Sequence, residues 1–230
     1  DKECCNACQL AYGAAEDQTN DKPATLNPED ERIVAGIGMF VFRLINEREN
    51  SRTESPGGRS NPFSRSSSRH VISGSLTPTK VFQFLVAMVL EAECTSECHV
   101  AAVVLLCRLV RTANFQLTEA NWPFVWTCVF NIAQKMQDDA SLSSFDFTDV
   151  FQCVCGQPQN DSLFNFRQMN RMEMWVLSEL DYRTFVSRKE FSFFMCEFSA
   201  LATRSETTSR PEEPGPTRGA DPPMCVEMAP

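Results

Sequence analysis

Glycine, histidine and long apolar runs are scarce in this sequence. Its 230 residues include 9 glycines against 18 phenylalanines, which favours a helical interior packed with aromatic rings over strands and tight turns. The longest apolar stretches, 33–42 and 81–90, each have about ten residues, whereas a helix that spans a bilayer needs roughly 18 or more. The sequence therefore predicts buried helices and no transmembrane segment.

Groups suited to catalysis are equally sparse. The 2 histidines, His70 and His99, fall in a Ser/Arg-rich linker and at the start of a predicted helix, where a general base is a poor fit. The sequence has no glycine-rich phosphate loop, no Ser-His-Asp pattern and no carboxylate pair suited to acid–base chemistry. We predict no catalytic residues, no cofactor and no enzymatic activity.

The charge balance argues against one class of partner. The formal net charge is −9, and an acidic protein is poorly suited to a phosphate backbone. We therefore expect no nucleic-acid partner.

Cysteine, by contrast, is abundant, with 11 residues. Cys107, Cys128 and Cys196 fall in apolar helical runs, where a thiol behaves as a small hydrophobic group. No regular disulfide spacing or secretory signal is visible, which favours the cytoplasm or the nucleus. Because the chain begins at Asp1, we expect a fragment of a longer protein, in which any N-terminal signal or acylation site would lie outside this sequence, so peripheral membrane attachment is an open alternative.

One cysteine cluster invites a metal interpretation. Cys94 and Cys98 are one helical turn apart, and His99 follows directly. A structural zinc site needs a second ligand pair at a suitable spacing, and none follows. We expect no metal site.

Composition divides the chain into helical regions and polar segments. Residues 51–77 are rich in Ser, Arg, Pro and Gly and are predicted to form a flexible linker. Residues 1–27, with clustered cysteines and few periodic apolar positions, and the proline-rich residues 201–230 are predicted to be disordered. A separate N-terminal helix is predicted over 28–50 and a helical domain over 78–200.

Helix-start signals support this division. A helix start is predicted at Asn27, which is followed by Pro28 and acidic residues. A later helix start is predicted at Thr118, followed by Glu119, and a capping box is predicted from Ser187 and Glu190. Within the domain, helices are predicted near 79–93, 97–113, 118–137, 145–153, 163–182 and 187–200.

Two of these helices carry the most specific pattern. The first is amphipathic, opens with Ala120-Asn121-Trp122, and ends with Lys135 before Asp138-Asp139. The second carries Glu173 in an otherwise apolar stretch and is followed by Leu180-Asp181-Tyr182. With residues 98–110, which are similar to the second cyclin-box helix and place Arg108 where that family carries an arginine, the pattern resembles a cyclin. The resemblance is greatest to the cyclin Y and phosphate-response (PHO-type) branch, over roughly 30–50 and 78–200.

This resemblance implies an all-α fold, a single cyclin box of five core helices with an additional N-terminal helix. It also implies a regulatory subunit that binds and activates a cyclin-dependent kinase by docking on the C-helix of that kinase. The lysine and glutamate would bind backbone groups there, and apolar neighbours would form a shelf for the helix. Carried over, the kinase-binding residues are Lys135, Glu173, Ile132, Ala133, Met136, Met174, Leu177 and Tyr182.

The sequence also departs from the family pattern. Many cyclins have an aspartate just before the arginine of the second helix, paired with an arginine of the first helix. Here Cys107 takes that place and the first helix offers only Lys80, so we expect that internal salt bridge to be missing. The Met-Arg-Ala-Ile-Leu motif that begins the docking groove of cell-cycle cyclins is absent as well. The long gap between the lysine and the glutamate predicts an extended loop around 156–162.

Blander interpretations remain open. Lys135 and Glu173 could instead be surface charges at helix ends, and Met136 and Met174 could fill the core. Asp138-Asp139 could simply form a turn that terminates a helix. A rival function is an all-α scaffold or transcription-adaptor domain of cyclin fold, for which a basic face would be the sign.

The linker contains serines among arginines, the pattern that basic-directed kinases modify. By the same resemblance, phosphorylation there would create a binding site for a 14-3-3 protein; the alternative is a linker without such a role. The candidate phosphosites are Ser64, Ser66, Ser67 and Ser68.

Overall fold

Helices account for all the regular secondary structure that the computed structural model describes, which covers residues 25–50, 75–112, 115–139, 141–155 and 164–208. This confirms the predicted all-α class. Within those ranges no helix is both long enough and apolar enough to cross a membrane. The helices are α1 (Pro28–Asn50), α2 (Pro78–Ala92), α3 (Ser96–Thr112), α4 (Trp122–Gln137), α5 (Ser144–Val154), α6 (Phe166–Glu179) and α7 (Arg188–Thr208).

Local capping determines where most of these helices begin. The Asn27 side chain accepts hydrogen bonds from the backbone N–H groups of Glu29 (3.1 Å) and Asp30 (2.9 Å), as predicted. The predicted capping box at α7 is also confirmed: the Glu190 N–H donates to Ser187 Oγ (3.3 Å), and the Ser187 N–H donates to the Glu190 carboxylate (3.0 Å). Similar boxes open α5 and α6.

The predicted start of α4 at Thr118 is wrong. The helix begins at Trp122, because the Asn121 side chain holds residues 116–121 in a turn: its Oδ1 accepts from the Thr118 N–H (2.8 Å) and its Nδ2 donates to the Gln116 carbonyl (2.9 Å). Glu119, predicted to lie in the first helical turn, accepts instead from the Leu76 N–H at 2.7 Å.

The hydrophobic core is centred on α4. Every residue of α4 from Trp122 to Gln134 is buried. The large rings of this helix are fully enclosed, and Phe124 packs against Phe151 of α5 with ring centroids 5.3 Å apart. A helix buried on all sides is expected at the centre of a helical domain, so α4 holds its last turn in a fixed position.

α1 packs against α2 and α7. Gly36 is buried so closely against α7 that a methyl group in its place would lie 2.3 Å from the carbonyl oxygen of Phe198. One turn further on, the Phe40 ring meets the rings of Phe194 (6.4 Å) and Phe198 (5.8 Å) edge-on. α1 and α7 are therefore neighbours.

Several predictions fall outside the described residues. These are the disorder of 1–24 and of 209–230, the flexibility of 51–74 with its four candidate phosphoserines, and the extended loop around 156–162. α7 continues to Thr208, beyond its predicted end at 200, so the disorder predicted for 201–230 is wrong for 201–208.

Candidate functional site

Lys135 and Glu173 form an ion pair between two helices. The Lys135 Nζ lies 2.6 Å from Glu173 Oε1, with the lysine in the last turn of α4 and the glutamate in the middle of α6. Both side chains are largely shielded from solvent, at 31% and 13% exposed. A charge-assisted hydrogen bond of this length in a partly buried setting holds both groups in place.

Two neighbouring polar side chains complete a hydrogen-bond network around the pair. The Lys135 ammonium donates to Ser144 Oγ at 2.7 Å, and that hydroxyl donates to Glu173 Oε2 at 2.9 Å. Asn131 Nδ2 donates to the same carboxylate oxygen at 3.2 Å. An ammonium group has three N–H donors, and two of those on Lys135 are used in this network.

The side chains below the network are apolar and neutral. The Cys128 thiol, one helical turn before Asn131, is buried and lies 3.7 Å from the Met169 sulfur. Burial, and then the negative charge of Glu173, raise the pKa of this thiol well above its usual value, which keeps it protonated.

Large apolar side chains surround the pair at the surface. Met136 is 52% exposed, Met174 55% and Tyr182 63%, and Leu177 is half-buried. Grouped apolar exposure of this kind is typical of protein-interaction surfaces. Ile132 and Ala133, predicted for the same shelf, lie in the core at 3% and 1% exposed, because α4 is buried on all sides as far as Gln134.

A strained turn presents Tyr182. Asp181 and Tyr182 both adopt left-handed backbone conformations, with φ of 51° and 55°, after the end of α6. The Tyr182 N–H donates to the Leu177 carbonyl at 2.8 Å, which closes the helix end and turns the phenol ring outward. Left-handed non-glycine residues cost free energy and cluster at functional surfaces.

Arg108 holds the segment that follows this turn. Its guanidinium donates to the carbonyls of Arg183 (2.9 Å) and Phe185 (3.0 Å) and pairs with Glu190 at 2.7 Å. Hydrogen bonds from Arg108 and then from Ser187 lower the pKa of Glu190 to about 2. Arg108 is thus paired with a carboxylate that α7 supplies.

Phe185, which was not predicted from the sequence as a site residue, is 75% exposed between Tyr182 and α7. Its only sequence signal was its position after the Leu-Asp-Tyr motif. Thr184 Oγ1 lies 3.7 Å from the Met136 sulfur, so this segment continues the apolar surface around the ion pair.

One cysteine of the Cys94–His99 cluster contacts the end of α4. Cys98 is buried at the start of α3, and its thiol donates to Asp138 Oδ2 at 3.5 Å. Asp138 is the C-cap residue of α4, which agrees with a helix-terminating turn. Among the residues with described positions, no group of three or more His, Cys, Asp or Glu side chains is placed to hold a metal ion.

Comparison with known families accounts for this arrangement. The family model for the cyclin N-terminal domain matches residues 64–184, which is more than half of the chain. The match spans α2 to α6, five consecutive helices that include both members of the ion pair. The chain belongs to the cyclin family, whose members are regulatory subunits, and its fold is a helical cyclin box.

Proposed function

We propose that this chain binds and activates a cyclin-dependent kinase by docking on the C-helix of that kinase. The observation that carries the proposal is the Lys135–Glu173 ion pair, fixed by Ser144 and Asn131 and surrounded by exposed apolar side chains. Membership of the cyclin family supports a regulatory role of this kind.

The site has the properties that such activation needs. A kinase is active when its C-helix is pressed inward, so that a helix glutamate pairs with the lysine that holds the ATP phosphates. Met136, Met174 and Tyr182 offer an apolar surface against which a helix can pack. The remaining N–H of Lys135 can donate to a backbone carbonyl of the kinase. A surface that binds only the inward conformer shifts the kinase population toward its active state.

The proposed binding surface consists of the exposed residues of the predicted set together with Phe185. Lys135 and Glu173 lie at its centre, and Leu177 contributes its half-buried face. Ile132 and Ala133 support this surface from the core. The apolar contacts with the kinase are thus assigned to exposed side chains, which a partner can reach.

We also propose that the chain belongs to the cyclin Y and PHO-type branch. The support is the set of sequence motifs around Trp122, Lys135 and Glu173, together with a helix, α1, that precedes the matched region. Recognition of phosphorylated Ser64, Ser66, Ser67 or Ser68 by a 14-3-3 protein remains a proposal supported by the Arg/Ser pattern alone.

Charge reversal tests the kinase proposal. Tagged wild-type chain and the Lys135→Glu and Glu173→Lys variants are used to capture proteins from the source cells, and kinases are identified by mass spectrometry. We expect a cyclin-dependent kinase with the wild type and at least a tenfold loss with either variant, because each reversal places like charges about 3 Å apart at the centre of the surface.

The double variant Lys135→Glu/Glu173→Lys is the matched control, since it restores an ion pair and therefore the fold while exchanging the two charges. Circular dichroism establishes that each variant is folded. Equal capture of the kinase by wild type and folded single variants would show that the kinase binds elsewhere. Capture of no kinase by the wild type would favour the scaffold alternative.

A further inference from the structure

Two exposed aromatic rings lie beside the proposed kinase-binding surface. Phe145, the second residue of α5, is 57% exposed, and Phe166, the first residue of α6, is 41% exposed. Their centroids are 6.1 Å apart and their planes are inclined by 63°. The proposed kinase contacts do not include them, although exposed large aromatic side chains that touch each other are typical of binding surfaces.

The pair is continuous with the ion-pair site through two helices. Phe166, Asn170 and Glu173 follow one another at helical spacing, so they lie on one face of α6, with Phe166 about 10 Å from Glu173 along the axis. On α5, Phe145 follows Ser144, whose hydroxyl bonds to both Lys135 and Glu173. One interface of ordinary size covers such a distance.

The charge next to the rings indicates what would bind there. Asp149 is exposed and lies one helical turn after Phe145, on the same face of α5. No hydrogen bond or ion pair of its carboxylate is found among the described residues, whereas the neighbouring Asp146 is engaged by Ser143 at 2.6 Å. Arg167 follows Phe166 directly, and successive residues lie about 100° apart around a helix, so the two side chains leave α6 at different positions around its axis.

We propose that Phe145, Phe166 and Asp149 form a pocket for an arginine side chain of the same kinase that docks on the Lys135–Glu173 pair. A guanidinium stacks on aromatic rings and pairs with a carboxylate at the same time, which a lysine ammonium does less well. This inference rests on the proposed function, and it adds a second anchor that would help to select the kinase.

The test measures dissociation constants between the purified full chain and a panel of purified cyclin-dependent kinase catalytic subunits. On the kinase that binds wild type most tightly, we expect Phe166→Leu and Asp149→Asn each to weaken binding about five- to tenfold. For Asp149→Asn the loss should shrink between about 0.05 M and about 0.3 M salt, because screening removes the contribution of the charge.

Matched controls separate the outcomes. Phe193→Leu removes an exposed ring on α7, 60% exposed, and should leave binding unchanged. If Lys135→Glu abolishes binding while the Phe166 and Asp149 variants bind like wild type, the pocket is refuted and the proposed function stands. Loss with Phe166→Leu but not with Asp149→Asn shows an apolar occupant and overturns the arginine assignment. If no kinase binds the wild type, both proposals fail. If the wild type self-associates in light scattering and Phe166→Leu abolishes this, the rings are a contact between copies of the chain and the arginine site is refuted.

Discussion

At the scale of single residues, His99 shows how completely the core excludes charge. Its ring is fully buried, stacks on Phe130 with centroids 4.4 Å apart, and lies 5.4 Å from Trp126. Nε2 is 3.0 Å from the Leu85 carbonyl, to which it donates, and Nδ1 has no hydrogen-bond partner among the described residues. Burial lowers the pKa of this histidine to about 3, so it is neutral in the folded protein.

This burial predicts a pH-dependent stability. Because the folded pKa is about 3 and the usual value 6.5, the unfolded chain binds a proton first as the pH falls. The contribution of His99 is therefore fully present above pH 6.5 and is lost progressively as the pH falls toward 3. We expect the free energy of unfolding, measured by urea titration, to fall by about 2 kcal/mol between about pH 8 and about pH 5.

The variant His99→Gln separates this effect from the contributions of all other ionisable groups. It should be less stable at neutral pH, since the packing against Phe130 is disturbed, but most of the change between pH 8 and pH 5 should disappear. An undiminished change in the variant would mean that other groups cause it.

At the scale of helices, the C-terminal end of α2 lacks the glycine that usually occupies such a position. α2 ends with Glu93 in a left-handed conformation (φ 51°), a position that glycine occupies most readily. The Glu93 N–H donates to the Val89 carbonyl, so the backbone hydrogen bond that ends the helix is made. The unfavourable feature is a residue with a Cβ at positive φ. Its carboxylate is also at the negative end of the helix dipole.

The substitution Glu93→Gly should therefore stabilise the protein. We expect a gain of up to about 1 kcal/mol in the free energy of unfolding, because glycine adopts positive φ without steric cost. Glu93→Ala is the matched control: it removes the same charge but keeps a Cβ, so it should give much less. Equal effects of the two variants in thermal unfolding would assign the gain to charge and contradict the backbone explanation.

Helix ends also show what the sequence could predict. The caps at Asn27 and Ser187 were predictable because each partner lies within three residues of the capping side chain. Thr118 was misassigned because Asn121, three residues later, bonds back to it and starts the helix one turn further on. The same locality allowed Lys135 and Glu173 to be selected by motif. Their distance of 2.6 Å, the burial of Ile132 and the contact of Phe145 with Phe166 depend on how helices pack, which local patterns do not determine.

At the scale of the whole molecule, Gly36 sets how closely α1 and α7 approach. A Cβ there would meet the Phe198 backbone at 2.3 Å, so Gly36→Ala requires the two helices to separate. The expected cost is about 1–3 kcal/mol from overpacking, which exceeds the gain of about 1 kcal/mol in helix propensity.

Gly38→Ala provides the comparison, because its Cβ would lie 3.3 Å from the Cα of Phe82, a contact that a small shift relieves. We expect Gly38→Ala to be close to neutral and Gly36→Ala to lower the urea midpoint and speed amide hydrogen exchange in α1. If both alanine variants matched the wild type, the close approach of α1 to α7 would be refuted.

The contact between α1 and α7 can form only late in the synthesis of the chain. α1 leaves the ribosome before α7, so the face containing Gly36 and Phe40 is covered only after residues near Phe198 have been made. Chains fold progressively as they emerge, so α2 to α6 can assemble around α4 while that face of α1 is still exposed. The face of α1 that packs on α7 is thus covered only after all the other described helices have been made.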